Sequence, residues 1–495
     1  MKAPSVADLQ RDAVVAFAHD LVIAALNRQM HAPDSKFVTE SLRALVKAID
    51  AAANLGIEMP LQLQFGDDRI HFEGKPLEGP SLQARSLLRC CRDRNIATLS
   101  FAPGLEIEEA NRFFDLLLLG HNRDALARGT RDVVLHAFGI RHVRVTLRSV
   151  ADPSDRHRSL DPAQRALHQY QDLAEVMQKN HLRAHRDMEL DVDDTASIVE
   201  KTVGLLDEPS LLLSLAAHDD VDRFTVGHSV RVALLALQVA RSLGADRDQL
   251  VHVGSAALMH DIGKSKVPQE ILFKQGALTP EEWGWMAQHP RLGAHILLEQ
   301  HHEVDPRAIG AAFCHHMSPN GRGYPDPSIP IAPSGISRLV RVCDVFEALT
   351  SVRPYKRALT PVEAYAVMFR NLPDFDPAWL HRFVRTLGLF PAGTRVHLDD
   401  GSEALVVAQT ECPENPEVRR ITGPGGSDLV ADQPEMVRIG VPHEGHVHRI
   451  VGVNTHDRCI AVPEFDPAEP QVLTQNVHGA CLSTSLAANV VPPAK

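Results

Sequence analysis

The sequence lacks the features that mark membrane-spanning, secreted or DNA-binding proteins. Its 495 residues contain no apolar run that approaches the roughly 18 residues of a membrane span. The formal net charge is −12, so no basic excess points to DNA as a partner. The N-terminus has no apolar segment of the signal-peptide kind. These absences predict a soluble cytoplasmic protein with no membrane span and no DNA ligand.

Cysteine is scarce as well, with seven residues and no Cys-x-x-Cys spacing. An odd number of scattered cysteines is typical of reduced thiols in the cytosol rather than of a disulfide framework. Histidine, by contrast, occurs 27 times. The clustering of these histidines in the middle third of the chain is more informative than their number.

The pattern of apolar residues predicts a multidomain, mainly α protein, in line with the length of the chain. The N-terminal part has α+β character, because two amphipathic helices precede a hairpin signal around Gly66. We predict four regions: an N-terminal α+β regulatory or dimerisation domain at 1–150, a linker and helix at 151–194, an all-helical domain at 195–390, and a small β-rich extension and tail at 391–495.

The helical domain contains one stretch with the residues of a candidate metal site, His260-Asp261-Ile262-Gly263-Lys264. An adjacent histidine and aspartate supply a nitrogen ligand and a carboxylate that can bridge two metal ions. Lys264 follows His260 by four residues, so we expect both on one helix face, with the ammonium beside any bound anion. A single His-Asp dipeptide is weak evidence for a metal site, because single histidines in helices are mostly ordinary core or surface residues.

The same domain supplies further ligand candidates, which strengthens the interpretation. They are His228, His289, His315, His316 and Asp344. Five imidazoles and two carboxylates without a thiolate suit two divalent ions, iron or manganese before zinc. Two such ions about 3.5–4 Å apart activate water and clamp a phosphate oxygen. Lys264 would stabilise the charge of the transition state, so Asp261 and Lys264 are the predicted catalytic residues.

Several motifs in this region resemble those of the HD-GYP phosphodiesterases, a branch of the HD superfamily. The motifs are GHSVRVALLA, HDIGK, HPRLG, HH followed by NGRGYP, and RLVRVCDVFEALTSVRPYK, and they span about residues 220–390. The resemblance implies a helical HD bundle that hydrolyses cyclic di-GMP, a bacterial second messenger. The implied products are linear pGpG and, in some members, GMP.

The resemblance also implies roles for individual residues. One metal would be held by His228, His260, Asp261 and Asp344, and the other by Asp261, His289, His315 and His316. The implied substrate-binding residues are Lys264 at the phosphate, Gly323 and Tyr324 at the mouth of the site, Arg353 and Lys356 at the phosphates or guanine, and Glu347 at a guanine edge.

Three positions depart from the family pattern. Met317 and Asn320 replace acidic residues of the usual GYP loop, which bears on partner docking and on rate or substrate preference. Phe224 stands where members with a third metal have a glutamate. Because phenylalanine cannot bind a metal ion, the sequence predicts two metals.

Other interpretations remain open at this stage. The domain could be a catalytically weak module that binds cyclic di-GMP or a protein partner, or it could hydrolyse a hybrid cyclic dinucleotide. Predicted partners also include a second copy bound through the N-terminal domain, and a diguanylate cyclase or other signalling protein. The C-terminal region contains a further group of histidines, which is either a metal site or a solvated edge strand. The pattern favours the edge strand. The residues are His443, His446, His448 and His456.

Overall fold

The protein is described by a computed structural model that covers most of the helices and strands. The described residues are 6–66, 68–118, 131–148, 162–206, 225–272, 274, 276–300, 304–326, 331–351, 358–427, 435–443, 445–455 and 458–461. The chain divides into two compact units, Met1–Glu175 and Val176–Lys495. It is mainly helical with antiparallel sheets. The finer four-region division stays a prediction.

The first unit contains a five-stranded antiparallel sheet with the strand order β3-β2-β1-β4-β5. Its strands are β1 Leu61–Phe65, β2 Ile70–Phe72, β3 Lys75–Pro76, β4 Ile96–Phe101 and β5 Val143–Leu147. The predicted hairpin is present, since Phe65 pairs with Ile70. Side chains alternate between the faces of a strand, and accordingly burial alternates along β1.

The helices of the first unit enclose an apolar core against this sheet. They are α1 Val6–Met30, α2 Lys36–Asn54, α3 Glu78–Leu82, α4 Arg85–Asp93, α5 Ile107–Leu118 and α6 Arg131–Ala137, while α7 Pro162–His185 runs on into the second unit. Phe101 of β4 makes edge-to-face ring contacts with Phe17 and Phe113, at centroid distances of 5.4 and 5.9 Å. Helices α3 and α4 are separate, with Gln83 and Ala84 between them.

The second unit opens with the helical bundle that carries the predicted ligands. Its helices are α8 Val192–Val203, α9 Thr225–Ser242, α10 Arg247–Met259, α11 Gln269–Leu272, α12 Pro280–Met286, α13 His289–Leu298, α14 Pro306–Cys314, α15 Gly335–Thr350, α16 Pro361–Arg370 and α17 Pro377–Leu387. Local sequence fixes the start of α12, because Thr279 and Glu282 form a reciprocal capping box and Pro280 lies in the first turn.

A six-stranded antiparallel sheet follows the bundle, with the order β13-β12-β6-β7-β8-β9, together with the two-stranded pair β10-β11. The strands are β6 Arg395–Leu398, β7 Glu403–Ala408, β8 Glu417–Arg420, β9 Met436–Arg438, β10 Pro442–His443, β11 His446–Val447, β12 Ile450–Thr455 and β13 Arg458–Ala461. Buried Val396, Val406 and Val418 form part of its small core. Across the ranges that the structure describes, no helix is long and apolar enough to cross a membrane.

Candidate metal centre

Five helices of the second unit bring the seven predicted ligands together. His228 lies in the first turn of α9, His260 and Asp261 directly follow α10, His289 opens α13, His315 and His316 directly follow α14, and Asp344 lies within α15. All are buried except His316, which is partly exposed. Helix ends supply most of these positions, which leaves backbone carbonyls nearby to orient the side chains.

The ligand atoms form two groups that share Asp261. One group contains Asp261, His289, His315 and His316, and the other contains His228, His260 and Asp261. Within each group, the candidate ligand atoms all lie within 4.8 Å of one another. The sequence-based division into two metal sites therefore matches two spatial groups, although the ligand roles themselves stay predictions.

Asp344 lies between the two groups. Its Oδ1 atom is 3.1 Å from Nε2 of His228, and its Oδ2 atom is 3.7 Å from Nδ1 of His316. The family resemblance implied that Asp344 binds one metal only and that Asp261 is the sole bridge. The geometry makes Asp344 a second carboxylate that faces members of both groups.

Three of the histidines are oriented by backbone carbonyls three residues earlier. Nδ1 of His260 is 2.6 Å from the carbonyl oxygen of Ala257, Nδ1 of His289 is 2.7 Å from that of Met286, and Nδ1 of His315 is 2.9 Å from that of Ala312. Each of these carbonyls belongs to the last turn of a helix, where it has no partner further along the helix. Each Nδ1 therefore carries the proton and donates it, which leaves a lone pair on each Nε2.

These lone pairs point at one another and at a carboxylate. Nε2 of His289 lies 3.2 Å from Nε2 of His315 and 3.2 Å from Oδ1 of Asp261. Nε2 of His260 and Oδ1 of Asp261 are buried and have no hydrogen bond to any residue within the described ranges. Buried acceptors that face one another repel unless a cation lies between them. The donor set therefore fits a metal ion.

Burial and neighbouring groups keep His315, His316 and Asp261 in the protonation states that metal binding requires. Burial lowers the pKa of His315 and His316 well below the usual value, and nearby imidazoles lower it further. Burial raises the pKa of Asp261, but its interactions with Lys264 and with the surrounding imidazoles outweigh this effect, so its pKa falls well below the ordinary range. Neutral imidazoles and an ionised carboxylate are the forms that bind metals.

Comparison with known proteins identifies the domain that holds this centre. Residues 213–379 match the protein family described as HD domain. A cyclic di-GMP phosphodiesterase of Pseudomonas aeruginosa is 35% identical over 221 residues, covering 44% of this chain and 53% of the relative. A 3'3'-cGAMP-specific phosphodiesterase of Vibrio cholerae is 34% identical over 171 residues, covering 34% of this chain and 36% of that protein. Residues 213–379 thus form an HD domain.

The relatives match this protein only in part. The chain spans about half the length of the Pseudomonas phosphodiesterase. Among solved structures, an HDG"Y"P protein from Bdellovibrio bacteriovorus aligns over 46% of this chain and 73% of its own, with 18% identity and a TM-score of 0.38.

The GYP loop, which contains Gly323 and Tyr324, packs against the metal-ligand candidates. The ring of Tyr324 stacks on that of His316, with centroids 4.5 Å apart and planes at 25°. Gly323 has a φ of +109°, and a Cβ atom there would lie 2.2 Å from the carbonyl oxygen of His316. Only glycine fits this close approach. Both residues thus support His316, and their predicted contact with substrate stays a prediction.

The two loop departures have structural consequences. Met317 is buried. The Asn320 side-chain oxygen accepts hydrogen bonds from the Ser318 hydroxyl at 2.6 Å and from the backbone N–H of Arg322 at 3.2 Å. An aspartate could accept both bonds, so Asn320 preserves the turn without its charge. Phe224, on which the prediction of two metals rests, lies outside the described residues, as do Arg353 and Lys356.

Lys264 does not share a helix face with His260, so that prediction is wrong. Helix α10 ends at Met259, and Ile262–Lys266 form a 3₁₀ turn. Side chains three residues apart eclipse in a 3₁₀ turn. The ammonium of Lys264 accordingly contacts Oδ2 of Asp261. Its predicted contact with the scissile phosphate stays a prediction.

Glu347 lies behind His228, where the sequence gave no reason to expect it. Its Oε2 atom accepts a hydrogen bond from Nδ1 of His228, and the carboxylate is buried. Burial lowers the pKa of His228, but the carboxylates of Glu347 and Asp344 outweigh burial and raise it to about 9. These contacts favour a role in holding His228 over the predicted contact with guanine.

Helix α7 brings two histidines to this region, His181 and His185, neither of which was a predicted site residue. Nδ1 of His185 lies 3.0 Å from the carbonyl oxygen of Ser265, just after the HD pair. His181 lies one helical turn earlier on the same face. Burial lowers its pKa to about 4, against the opposing charge of Asp261. The four-residue spacing of the two histidines was the one signal available in the sequence.

The C-terminal histidines form a cluster with Asp399. Its carboxylate lies 3.1 Å from Nε2 of His446 and 3.4 Å from Nδ1 of His448, and the three donors could hold a metal ion. However, Nη2 of Arg420 lies 3.2 Å from Nε2 of His448. Since arginine only donates, Nε2 accepts, and the proton lies on Nδ1, the nitrogen nearer to Asp399. This geometry favours a hydrogen-bonded ion-pair cluster over a metal site.

The solvated edge strand predicted for these histidines is wrong at His448, which is buried. His446 is exposed and its ring lies 4.7 Å from that of His448, as expected for alternate positions. The side chain of His443 and the whole of His456 lie outside the described residues.

Proposed function

We propose that this protein is a metal-dependent phosphodiesterase that hydrolyses cyclic di-GMP to linear pGpG, to GMP or to both. The observation that carries the proposal is the buried set of facing lone pairs around Asp261, His289 and His315. Metal ions between these buried acceptors would relieve their mutual repulsion. The identity and order of the motifs, and the names of the partial relatives, support a cyclic dinucleotide as the substrate.

The residues of the site would have three separate roles: metal binding, contact with the phosphate and exclusion of water. The ligands are His228, His260, Asp261, His289, His315, His316 and Asp344, for two divalent ions, iron or manganese before zinc. When bound, such ions lower the pKa of water and neutralise charge on a phosphoryl oxygen. Lys264 would move from the carboxylate of Asp261 toward the scissile phosphate. Tyr324 would form the wall of the site and keep bulk water from His316.

Two further functions have specific support. Hydrolysis of a hybrid cyclic GMP–AMP is favoured by the partial similarity to the Vibrio enzyme. A weakly catalytic receptor for cyclic di-GMP is favoured by the altered GYP loop, in which Met317 and Asn320 replace acids. The complete ligand set argues against the receptor, because modules that only bind have no need of it. A second copy, or a diguanylate cyclase, stays a proposed partner.

The test is product analysis with defined metals. Protein purified without oxygen is analysed for iron, manganese and zinc, and then incubated separately with cyclic di-GMP and with 3'3'-cGAMP. We expect two metals per chain and faster conversion of cyclic di-GMP to pGpG or GMP, with no conversion by Asp261→Ala. Faster turnover of 3'3'-cGAMP would reassign the substrate. Tight binding of cyclic di-GMP without turnover in fully loaded protein would make the domain a receptor.

A further inference from the structure

His228 is held differently from the three histidines that donate to carbonyls. It lies in the first turn of α9 rather than at the end of a helix. Carbonyls in a first turn accept the hydrogen bonds of the following turn, so they cannot orient an imidazole as the free carbonyls of a last turn do. In place of a carbonyl, the carboxylate of Glu347 accepts from Nδ1 of His228, from a position 119 residues away in the chain.

The carboxylate of Glu347 is itself fixed by other side chains. Its Oε1 atom accepts a hydrogen bond from Nε of Arg231 at 2.6 Å and lies 2.5 Å from Nη2 of the same guanidinium in an ion pair. The hydroxyl of Ser351 donates to the same oxygen at 2.5 Å. Glu347 and Arg231 are both buried. A carboxylate held this firmly presents Oε2 to His228 in one orientation.

The helical spacing explains why the two contacts occur together. Arg231 follows His228 by three residues on α9, and Glu347 follows Asp344 by three residues on α15. Residues three apart lie on one helix face. The contact between α9 and α15 therefore holds two pairs that lie one helical turn apart. One is the pair of ligand candidates, His228 and Asp344, and the other is the supporting pair, Arg231 and Glu347.

We propose that Glu347 is a positioning residue that sets the metal affinity of the group containing His228 and His260. Its carboxylate holds the proton of His228 on Nδ1, aims Nε2 at the shared centre and makes the imidazole a stronger donor to the ion. In the other group, backbone carbonyls orient His289 and His315, and the ring of Tyr324 stacks on His316, so we expect this group not to depend on Glu347. The proposal rests on the proposed function only in requiring metal ions at these residues.

The proposal is tested by zinc binding, with no nucleotide present. Metal-free full-length protein is titrated with Zn²⁺ against a chromophoric chelator, which resolves a tight and a weaker class of site. We expect Glu347→Gln to weaken one class by about 10–100-fold and to leave the other class unchanged. Glu347→Ala, which also removes the acceptor, should weaken that class further.

A matched control is available on the surface. Glu299 lies 3.2 Å from Nε2 of His295 in an exposed pair, so Glu299→Gln makes the same chemical change beside another histidine. It should alter neither class of site. Unchanged zinc affinity in both Glu347 variants, or an equal loss at both classes, would overturn the proposal.

Folding of the variants is controlled separately. Glu347→Gln removes a counter-charge from the buried guanidinium of Arg231, which is destabilising. If the single variant unfolds, the double variant Glu347→Gln with Arg231→Met removes the buried positive charge as well, and we expect the same selective loss of zinc. A double variant that folds and binds zinc like the wild type would show that Glu347 serves only to balance Arg231.

A spectroscopic measurement reports the contact itself. In zinc-loaded, ¹⁵N-histidine-labelled protein, the Nδ1 proton of His228 should give a strongly downfield signal because it is bonded to a carboxylate. That signal should move upfield in Glu347→Gln, while the signals of the carbonyl-bonded histidines should stay in place. An unmoved signal would contradict the assigned contact whether or not the protein hydrolyses cyclic di-GMP.

Discussion

Oδ1 of Asp261 lies 3.2 Å from Nε2 of His289, while the other oxygen of the same carboxylate lies 3.5 Å from Nε2 of His228. The two histidines come from helices α13 and α9. One aspartate thus faces donors on both sides of the centre. The structure also gives Asp344 this property, with one oxygen toward His228 and the other toward His316.

Replacing the shared carboxylate should remove both metals. We expect Asp261→Ala to lose metal from both groups and to lower turnover on the order of 10³-fold or more, because metal-ion catalysis contributes several kcal/mol. Elemental analysis and the rate of cyclic di-GMP hydrolysis check this expectation. Asp344→Ala is the comparison: its more distant contact with His316 should leave part of the metal in place. Near-normal metal in Asp261→Ala would refute the shared role.

Gly263 should tolerate no side chain. A Cβ atom there would lie 2.0 Å from the carbonyl oxygen of His289 and 2.4 Å from the backbone nitrogen of Gly293. We expect Gly263→Ala to destabilise the second unit by about 1–3 kcal/mol or more and to weaken metal binding, since α13 must move away. Thermal unfolding and zinc titration measure the two effects.

Gly310 is the matched control, because a Cβ atom at this position within α14 meets no atom within 4 Å. Gly310→Ala should be neutral, or stabilising by up to about 1 kcal/mol, since alanine is the better helix former. Equal behaviour of the two alanine variants would contradict the close approach at Gly263.

Glu109 should make the first unit sensitive to acid. It is buried, and it accepts hydrogen bonds from the backbone N–H groups of Arg141 at 2.5 Å and His142 at 2.7 Å, and from the His142 ring at 2.8 Å. Burial raises its pKa, but the bonds with His142 and Arg141 outweigh burial and lower the pKa below 4.5. Its contribution to stability is therefore full above the unfolded value and is lost as the pH falls through the folded pKa.

We expect Glu109→Gln to cost about 1–3 kcal/mol at pH 7 and to remove this acid sensitivity. Amide hydrogen exchange of β4 and β5 at pH 7 and below pH 4.5 measures the local effect. Glu108→Gln, its exposed neighbour, is the control and should leave exchange unchanged. A wild type and a Glu109→Gln variant that lose protection in parallel on acidification would contradict the assignment.

Arg353 and Lys356 should bind the phosphate that is not cleaved. A cyclic dinucleotide has two phosphates, and the second needs a cationic anchor away from the metals. We expect replacement of both residues by alanine to weaken cyclic di-GMP binding while leaving metal content and the hydrolysis of a small generic phosphodiester unchanged. Calorimetric binding and parallel rates on both substrates check this. Equal losses on the two substrates would make the pair structural.

The sequence by itself determined the donor set and the framework that presents it. Chain-local signals sufficed: apolar spacing marks α9 and α15, Thr279 and Glu282 mark the start of α12, and Gly66 marks the turn between β1 and β2. The spacing of His260 and Asp261 is local too, so the predicted ligands were brought together in space as expected. Local periodicity was least reliable where a helix ends, as at Met259, because the 3₁₀ turn beyond it gave Lys264 a different neighbour.

Only the tertiary structure decided how each donor is held. Glu347 meets His228 across 119 residues, Arg420 decides which nitrogen of His448 carries the proton, and Asp344 faces ligands from two helices. No pattern of nearby residues encodes these contacts, because they depend on how separate helices and strands pack. The direction of these hydrogen bonds fixes which ring nitrogen carries the proton. The chemistry of each imidazole depends on that nitrogen, and it is therefore set by long-range packing rather than by residue identity.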